Sequence, residues 1–131
     1  MYIPVIIHKD EDSDYGVTVP DMAGCFSAGK SFADALKNIE EAILFHIEGL
    51  FEIGEKPSFE FRDIEELQKE YQDEKGIIFS LVNVDLSKLN PEPTRFNVSW
   101  PQYLLTMLDN KLKETHETRS GYLARLVMSQ L

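Results

Sequence analysis

The sequence predicts a mixed α+β fold in two parts: a small N-terminal antiparallel sheet with packed helices, and a C-terminal strand–helix–helix segment. Three observations predict it. Short β-branched and aromatic runs, separated by turn residues, recur before residue 87. One long apolar stripe with helical spacing lies between them. A run that alternates polar and apolar residues then precedes two helical segments near the end of the chain.

Four strands are predicted in the N-terminal part. Residues 3–8 and 15–19 form the first two, and the polar stretch between them makes a hairpin connection. Residues 25–28 follow a turn-like stretch and form a short third strand. The fourth is GIIFSLVNVDL, residues 76–86, which is rich in β-branched and aromatic residues.

Ser31 is predicted to cap a long helix, because an acidic residue follows three positions later. A shorter helix is predicted over residues 63–71. In the C-terminal part, helices are predicted from about 102 to 114 and from 119 to about 130, the second capped by Thr118. The apolar stripe of the long helix consists of Phe32, Leu36, Ile39, Ile43, Ile47 and Leu50.

The composition of the 131 residues is that of a globular protein, with 43% hydrophobic and 27% charged residues. No apolar run reaches the length of a membrane span, and the first residues lack a basic leader and a small-residue cleavage site. A single cysteine excludes a disulfide framework and a multi-cysteine metal site. We therefore expect a cytoplasmic protein that does not contact membranes.

The net charge of −10 is unevenly distributed. Residues 1–93 contain eight basic and twenty acidic residues, a net charge of −12, whereas residues 94–131 contain five basic and three acidic residues, a net charge of +2. An acidic body with a mildly basic tail indicates two kinds of partner, one of them cationic. The alternative is an acidic surface that only maintains solubility.

The expected domain boundaries are 1–86, a linker over 87–93, and 94–131. The linker SKLNPEP has two prolines and little to bury, so few contacts are expected to cross it. The last segment is too small for a good core of its own. A homodimer, with higher oligomers left open, would pair two copies of its strand across a two-fold axis. The predicted dimer core consists of Phe96, Val98, Trp100, Leu123 and Val127.

FNVSWP, the following LL, and TRSGYLARLVM resemble the Arc-like ribbon-helix-helix family over nearly all of residues 94–131. The resemblance implies a dimer whose paired strands enter the major groove of operator DNA. Arg95, Asn97 and Ser99 are the implied base-reading residues, and their donors and acceptors suit base edges. The resemblance also implies that DNA phosphates bind at the start of the last helix, at Thr118, Arg119 and Ser120.

YGVTVPDMAGCFSAGKSFADALKNIEEAI resembles the HicB antitoxin family. The resemblance lies in Tyr15-Gly16, Pro20-Asp21, Gly24-Cys25, Gly29 and Glu41-Ala42. It implies a partial RNase H-like N-terminal domain that binds and blocks HicA, a small RNA-cleaving toxin. It also implies a C-terminal domain that represses the operon of its own gene. The whole chain is therefore interpreted as an antitoxin and autorepressor without enzymatic activity.

Two alternatives remain open. One is a stand-alone ribbon-helix-helix regulator that senses a ligand through its N-terminal domain. The other is a nucleotide-binding protein, because Gly24 to Ser31 satisfy the P-loop pattern between a strand and a helix, and Asp85 ends a later strand. The HicB-like pattern already accounts for most of these positions, so only Lys30 would be coincidental.

No catalytic constellation, cofactor or metal site is predicted. Asp10, Asp12 and Asp14 are crowded on one hairpin, whereas two-metal nuclease chemistry needs converging carboxylates. The same triplet lacks the glycine of a calcium loop, because Tyr15 stands in its place. Cys25 is expected to be a small buried hydrophobic residue. The histidines, which lack the spacing of a ligand set, are His8, His46 and His116.

Overall fold

A four-stranded antiparallel sheet forms the centre of the N-terminal part. The computed structural model describes residues 1–9, 11–89 and 94–130. Across the sheet the strand order is β3-β2-β1-β4, and each neighbouring pair is antiparallel. The predicted α+β class with a small antiparallel sheet is therefore confirmed. The strands are Tyr2–His8 (β1), Tyr15–Thr18 (β2), Phe26–Gly29 (β3) and Ile77–Asn83 (β4).

β3 begins and ends one residue later than predicted, because Cys25 belongs to the preceding loop. Its N–H donates to the carbonyl of Met22 at 3.0 Å, and its carbonyl accepts the N–H of Val19 at 3.1 Å. These two hydrogen bonds close a compact loop between β2 and β3. Cys25 is 5% exposed, as expected, and burial raises the pKa of its thiol to about 11.

β1 is a central strand with both faces covered. Its ladder to β4 runs through seven residue pairs, from Tyr2 opposite Asn83 to His8 opposite Ile77. Three further pairs join it to β2. The five residues between its ends are all buried. This explains why the strand is continuously apolar in sequence and does not alternate as a half-buried strand would.

The helix Phe32–Glu52 (α1) covers one face of the sheet. Ser31 caps it as predicted, since its hydroxyl accepts the N–H of Asp34 at 3.1 Å. Each fully buried isoleucine of its inward stripe contributes about 1.5–3 kcal/mol through burial. Gly29 lets the helix approach β3 closely, because a Cβ there would lie 2.3 Å from the nitrogen of Ala35. The helix residues that are 0% exposed are Ala35, Ile39, Ile43 and Ile47.

The segment that contains the short helix Ile64–Glu70 (α2) lies against the opposite face. Asp63 caps this helix by accepting the N–H of Glu66 at 2.9 Å. Leu67 is 0% exposed. The ring of Tyr71, just after the helix, packs edge-on against the ring of Phe79 in β4, with 6.5 Å between the ring centroids. Packing on both sides therefore covers the central strand β1, whereas Ile78 and Leu81 of the edge strand β4 stay 51% and 47% exposed.

The C-terminal part adds two helices, Gln102–Thr115 (α3) and Arg119–Gln130 (α4), joined by a tight turn. A 3-10 turn, Leu86–Lys88, follows β4 and takes up the first residues of the predicted linker. Residues 94–100, where the sequence predicts a strand, join no sheet within the single chain. Every helix in the described ranges is too short or too polar to cross a lipid bilayer.

The two parts of the chain share more contacts than the linker composition predicts. α4 packs on the 3-10 turn, and its residues Ala124 and Met128 lie against the buried core of the N-terminal part. The side-chain amide of Asn83 donates to the carbonyl of His116 at 2.9 Å. Residues 90–93 of the predicted linker lie outside the described residues, and the domain boundaries stay a prediction.

Candidate functional site

The segment predicted to read bases is exposed on both of its faces. Its polar residues Arg95, Asn97 and Ser99 are all exposed. Its apolar residues are exposed too: Phe96 by 81%, Val98 by 58% and Trp100 by 38%. Large apolar side chains with this much exposure, at alternating positions, indicate a surface that another molecule covers.

An open groove of about 450 Å³ runs between this segment and the two C-terminal helices. It brings together three of the predicted dimer-core residues, Val98, Trp100 and Leu123. Phe96 and Val127 are not part of its lining; Val127 is 53% exposed on α4. The groove is largely apolar, with Ser99 and Arg119 as its polar members. Its lining residues are Val98, Ser99, Trp100, Leu105, Leu108, Arg119 and Leu123.

The start of α4 brings together the three residues predicted to bind phosphate. Thr118 acts as the cap, as predicted, because its hydroxyl accepts the N–H of Gly121 at 3.0 Å. Arg119 donates two hydrogen bonds to Asp109 of α3, at 2.9 and 2.8 Å. This pairing raises the pKa of Arg119 and lowers that of Asp109. Ser120 is exposed.

Asp85 also lies at the start of α4, a position that the sequence does not predict. Its Oδ2 accepts a hydrogen bond from the hydroxyl of Thr118 at 3.2 Å. Burial disfavours the charge of Asp85, but hydrogen bonds from Ser87 and Thr118 outweigh it and lower its pKa. The predicted start of a helix at Thr118 indicates that an anion is favoured there. Nothing in the sequence indicates that Asp85 is that anion.

A buried ion cluster joins α4 to the first strand. The side chain of Glu117 is 4% exposed and accepts hydrogen bonds from Arg125 at 3.0 and 3.3 Å. Its carboxylate also lies 3.0 Å from the amino nitrogen of Met1. Burial opposes the charge of Glu117, yet the hydrogen bonds from these two cations hold its pKa below the usual value. This cluster, too, was not predicted from sequence.

The P-loop pattern does not form a phosphate-binding loop. A phosphate cradle needs open space beside its glycines, whereas Gly29 packs directly against the backbone of Ala35. The sheet is antiparallel throughout, and the β1–β4 pair lacks the parallel strands of a nucleotide-binding fold. Lys30 is exposed, and Asp85 is engaged by Ser87 and Thr118. These features disfavour the nucleotide-binding alternative.

The acidic side chains of the β1–β2 hairpin and the histidines do not form a metal site among the described residues. Asp12 and Asp14 are exposed, and Asp10 lies outside the described residues. Asp12 adopts a left-handed conformation, with φ of 61°, at the hairpin turn. Across the described ranges, no three His, Cys, Asp or Glu side chains are grouped closely enough to hold a metal ion.

Residues 3–127 of this chain match the sequence model of a protein family, the HicB-like antitoxins of bacterial toxin–antitoxin systems. The crystal structure of the antitoxin HicB from Burkholderia pseudomallei has 45% sequence identity and a TM-score of 0.75, and the match covers 100% of this chain and 98% of that one. A 14.9 kDa protein from the rep-hol intergenic region of Haemophilus phage HP1 is 38% identical over 136 residues, covering 100% of this chain and 98% of its own.

One chain of the solved HicA3 and HicB3 toxin–antitoxin complex is also similar. It has 33% sequence identity and a TM-score of 0.56, and the match covers 65% of this chain and 99% of that one. The similarity to HicB antitoxins therefore extends from the family model to complete solved structures. The chain belongs to the HicB-like antitoxin family of bacterial toxin–antitoxin systems.

Proposed function

We propose that this antitoxin neutralises a HicA-like, RNA-cleaving toxin by direct binding through residues 1–86, and represses its own operon by binding DNA through residues 94–131. The family match over residues 3–127 carries the proposal. Neutralisation in this mechanism is steric and electrostatic, and it needs no chemical step, cofactor or metal.

The N-terminal part is the better candidate for toxin binding. The similar chain of the HicA3 and HicB3 complex matches 65% of this chain, so a part of the chain is enough for the similarity. This part, which we take to be a partial RNase H-like fold, contains nearly all of the buried apolar residues of the described chain. Its acidity favours a cationic partner, and the attraction should speed association at low salt.

The C-terminal part is the candidate for dimerisation and DNA binding. Residues 94–100 have no strand partner within the chain, and their apolar side chains border an open groove. A second copy of the segment, paired antiparallel, would supply the missing backbone hydrogen bonds and cover Phe96, Val98 and Trp100. The opposite face of the resulting ribbon would then present Arg95, Asn97 and Ser99 to base edges. This arrangement is the proposed ribbon-helix-helix dimer.

The start of α4 is the proposed phosphate contact. Its free N–H groups, the Thr118 hydroxyl, the Arg119 guanidinium and Ser120 form a site that attracts anions. Such contacts position a protein on DNA without reading sequence, so they would complement the base contacts of the ribbon.

The proposal is tested by expressing the full chain together with the small basic protein encoded next to its gene. Growth should be rescued, and the two proteins should co-purify. In parallel, the purified chain should retard a duplex taken from upstream of its own gene more strongly than a scrambled duplex. Retardation without rescue would favour the stand-alone regulator, and rescue without retardation would remove the repressor role.

A further inference from the structure

The N-terminal end of α4 already holds a carboxylate. Asp85 accepts a hydrogen bond from the hydroxyl of Thr118 at 3.2 Å, while the same hydroxyl accepts the N–H of Gly121 at 3.0 Å. The other carboxylate oxygen of Asp85 accepts the N–H and the hydroxyl of Ser87, at 2.9 and 2.7 Å. The carboxylate is therefore fixed on one side by its own 3-10 turn and on the other by α4.

Glycine at position 121 makes this close approach feasible. A Cβ at Gly121 would lie 2.4 Å from Oδ1 of Asp85 and 3.0 Å from the hydroxyl oxygen of Thr118, so a larger residue would displace one of them. The carboxylate lies over the first turn of α4, where backbone N–H groups are free and the helix end is positive. The same surroundings favour a phosphate group.

We propose that Asp85 is an internal substitute for a DNA phosphate, and that its packing on α4 holds the chain in a state with weakened DNA binding. The inference rests on the proposed function, which assigns Thr118, Arg119 and Ser120 to phosphate binding. Two anions repel each other and cannot share one hydrogen-bonding position. DNA binding then requires Asp85 to move away from the helix end.

The same packing leaves the proposed dimer face open. Ala124 and Met128 of α4 face the core of the N-terminal part, whereas Leu123 lines the open groove and Val127 is 53% exposed. The Asn83 side chain holds the turn before α4 through the His116 carbonyl. The packed state therefore leaves the proposed dimer face accessible while Asp85 occupies the Thr118 hydroxyl, one of the proposed phosphate contacts, so we expect Asp85 to act on DNA binding and not on assembly.

The first test is Asp85→Asn in the full chain, which keeps the shape of the side chain and removes its charge. An anion at a helix end is worth a factor of about 2 to 5 in equilibrium, and a dimer has two such ends, so DNA binding should tighten by about 4- to 25-fold. A duplex from upstream of the gene and a scrambled duplex should gain equally, because a phosphate contact carries no sequence information.

Asp73→Asn is the matched control, since it removes the same charge from an exposed position between α2 and β4. It should change DNA binding by less than about twofold, because exposed charges at a distance are screened by salt. A comparable gain in both variants would mean that the effect is only one of net charge, and it would overturn the inference.

The second test locks the packed state with the double variant Asp85→Cys/Gly121→Cys. The Cβ position at residue 121 lies 3.3 Å from Cγ of Asp85, close to where the introduced sulfur would be, so a disulfide can join them. The native Cys25 is buried and should not compete. The oxidised protein should bind neither duplex, and reduction with dithiothreitol should restore binding.

The outcomes separate this inference from the function on which it rests. If the wild type retards DNA but Asp85→Asn binds no more tightly than the wild type, or if the oxidised double variant binds as well as the reduced one, Asp85 is not a phosphate substitute. If no form of the protein retards either duplex, the DNA-binding assignment itself fails. Thermal melting of each variant distinguishes these results from a loss of folding.

Discussion

The two parts of this chain bury their apolar residues in different ways. In the N-terminal part, the inward residues of β1 and α1, such as Ile7, Ile39 and Ile43, are 0% exposed. In the described residues 94–130, Leu108 is the one large hydrophobic side chain that is buried, whereas Trp100 is 38% exposed. The N-terminal part thus has an extensive core, although it also exposes apolar side chains such as Phe26 and Phe45, whereas the described C-terminal residues have almost no buried apolar side chain of their own.

This difference shows that the sequence of a short segment can determine its helices although the segment has no core of its own. A strand with two helices buries too little surface to be stable alone. Some of its apolar residues pack on the N-terminal part through α4, and in the proposed dimer a second copy would cover the remaining face. We expect variants of the two parts to separate accordingly.

The largest effect should come from the closed core. Ile43→Ala should lower the free energy of unfolding by about 2–5 kcal/mol, because it leaves a cavity between α1 and the sheet. Phe45→Ala, two residues along the same helix, should change it by less than about 0.5 kcal/mol, since Phe45 is 79% exposed. Urea unfolding measures both values. Equal losses would contradict the packing described for α1.

Val98→Asp should disrupt the proposed dimer of the C-terminal part and leave the fold of the N-terminal part intact. A carboxylate at this position would be buried without a partner in the proposed dimer, and each copy would cost about 2 kcal/mol or more. We expect monomers in analytical ultracentrifugation and a more than tenfold loss of DNA binding. Ile53→Asp, at an exposed residue that follows α1, is the control. Unchanged sedimentation of Val98→Asp would refute the paired strands.

Arg95→Ala and Asn97→Ala should each reduce specific DNA binding by about 1–3 kcal/mol and relax base preference. Arg119→Ala should instead weaken binding to all sequences more evenly, because a phosphate contact is not sequence-specific. Gel shifts with the upstream and scrambled duplexes distinguish the two patterns. Native affinity in both strand variants would remove the groove assignment.

A smaller effect is expected where the two parts meet. The pKa of Glu117 is lower in the folded protein, so its charge stabilises the fold above its ordinary pKa of 4.5, and this stability is lost as the pH falls through the folded value. Glu117→Gln should cost about 1–2 kcal/mol near pH 7 and flatten the acid side of the stability profile. Glu114→Gln, an exposed residue of α3, should retain the wild-type profile.

The smallest effect is expected at the P-loop-like sequence. Lys30→Ala should leave toxin rescue and DNA binding unchanged, because Lys30 is exposed and the adjacent Gly29 leaves no phosphate cradle. Calorimetry with ATP or GTP and magnesium should give no binding in the micromolar range. Micromolar binding that disappears in Lys30→Ala would restore the nucleotide-binding alternative.

Local signals explain what the sequence could predict. The Ser31 and Thr118 caps, the stripe of α1 and the four sheet strands follow from residue spacing within a few positions, and the structure contains them. The contacts of Asp85 with Thr118 and of Asn83 with His116 join residues 33 positions apart. No periodicity encodes such pairs, because they depend on how finished elements pack.

The predicted site also has a part that follows from local sequence patterns and a part that depends on long-range packing. The sequence places Arg95, Asn97 and Ser99 at alternating positions, and their exposure agrees with a surface role without establishing one. The groove behind them could not be foreseen in full, since it depends on where α3 and α4 lie relative to Val98 and Trp100. The DNA contacts themselves stay predictions.

The central position of β1 has a consequence for the order of folding during synthesis. β1 leaves the ribosome first, and β2 can pair with it soon afterwards, but its longer seven-pair ladder needs β4, about seventy residues later. Closing so long a loop costs chain entropy and slows folding. Until Asn83 has emerged, the nascent chain exposes one edge of its most apolar strand. We therefore expect the seven-pair ladder of β1 to form only after Asn83 has emerged, late in the synthesis of the chain.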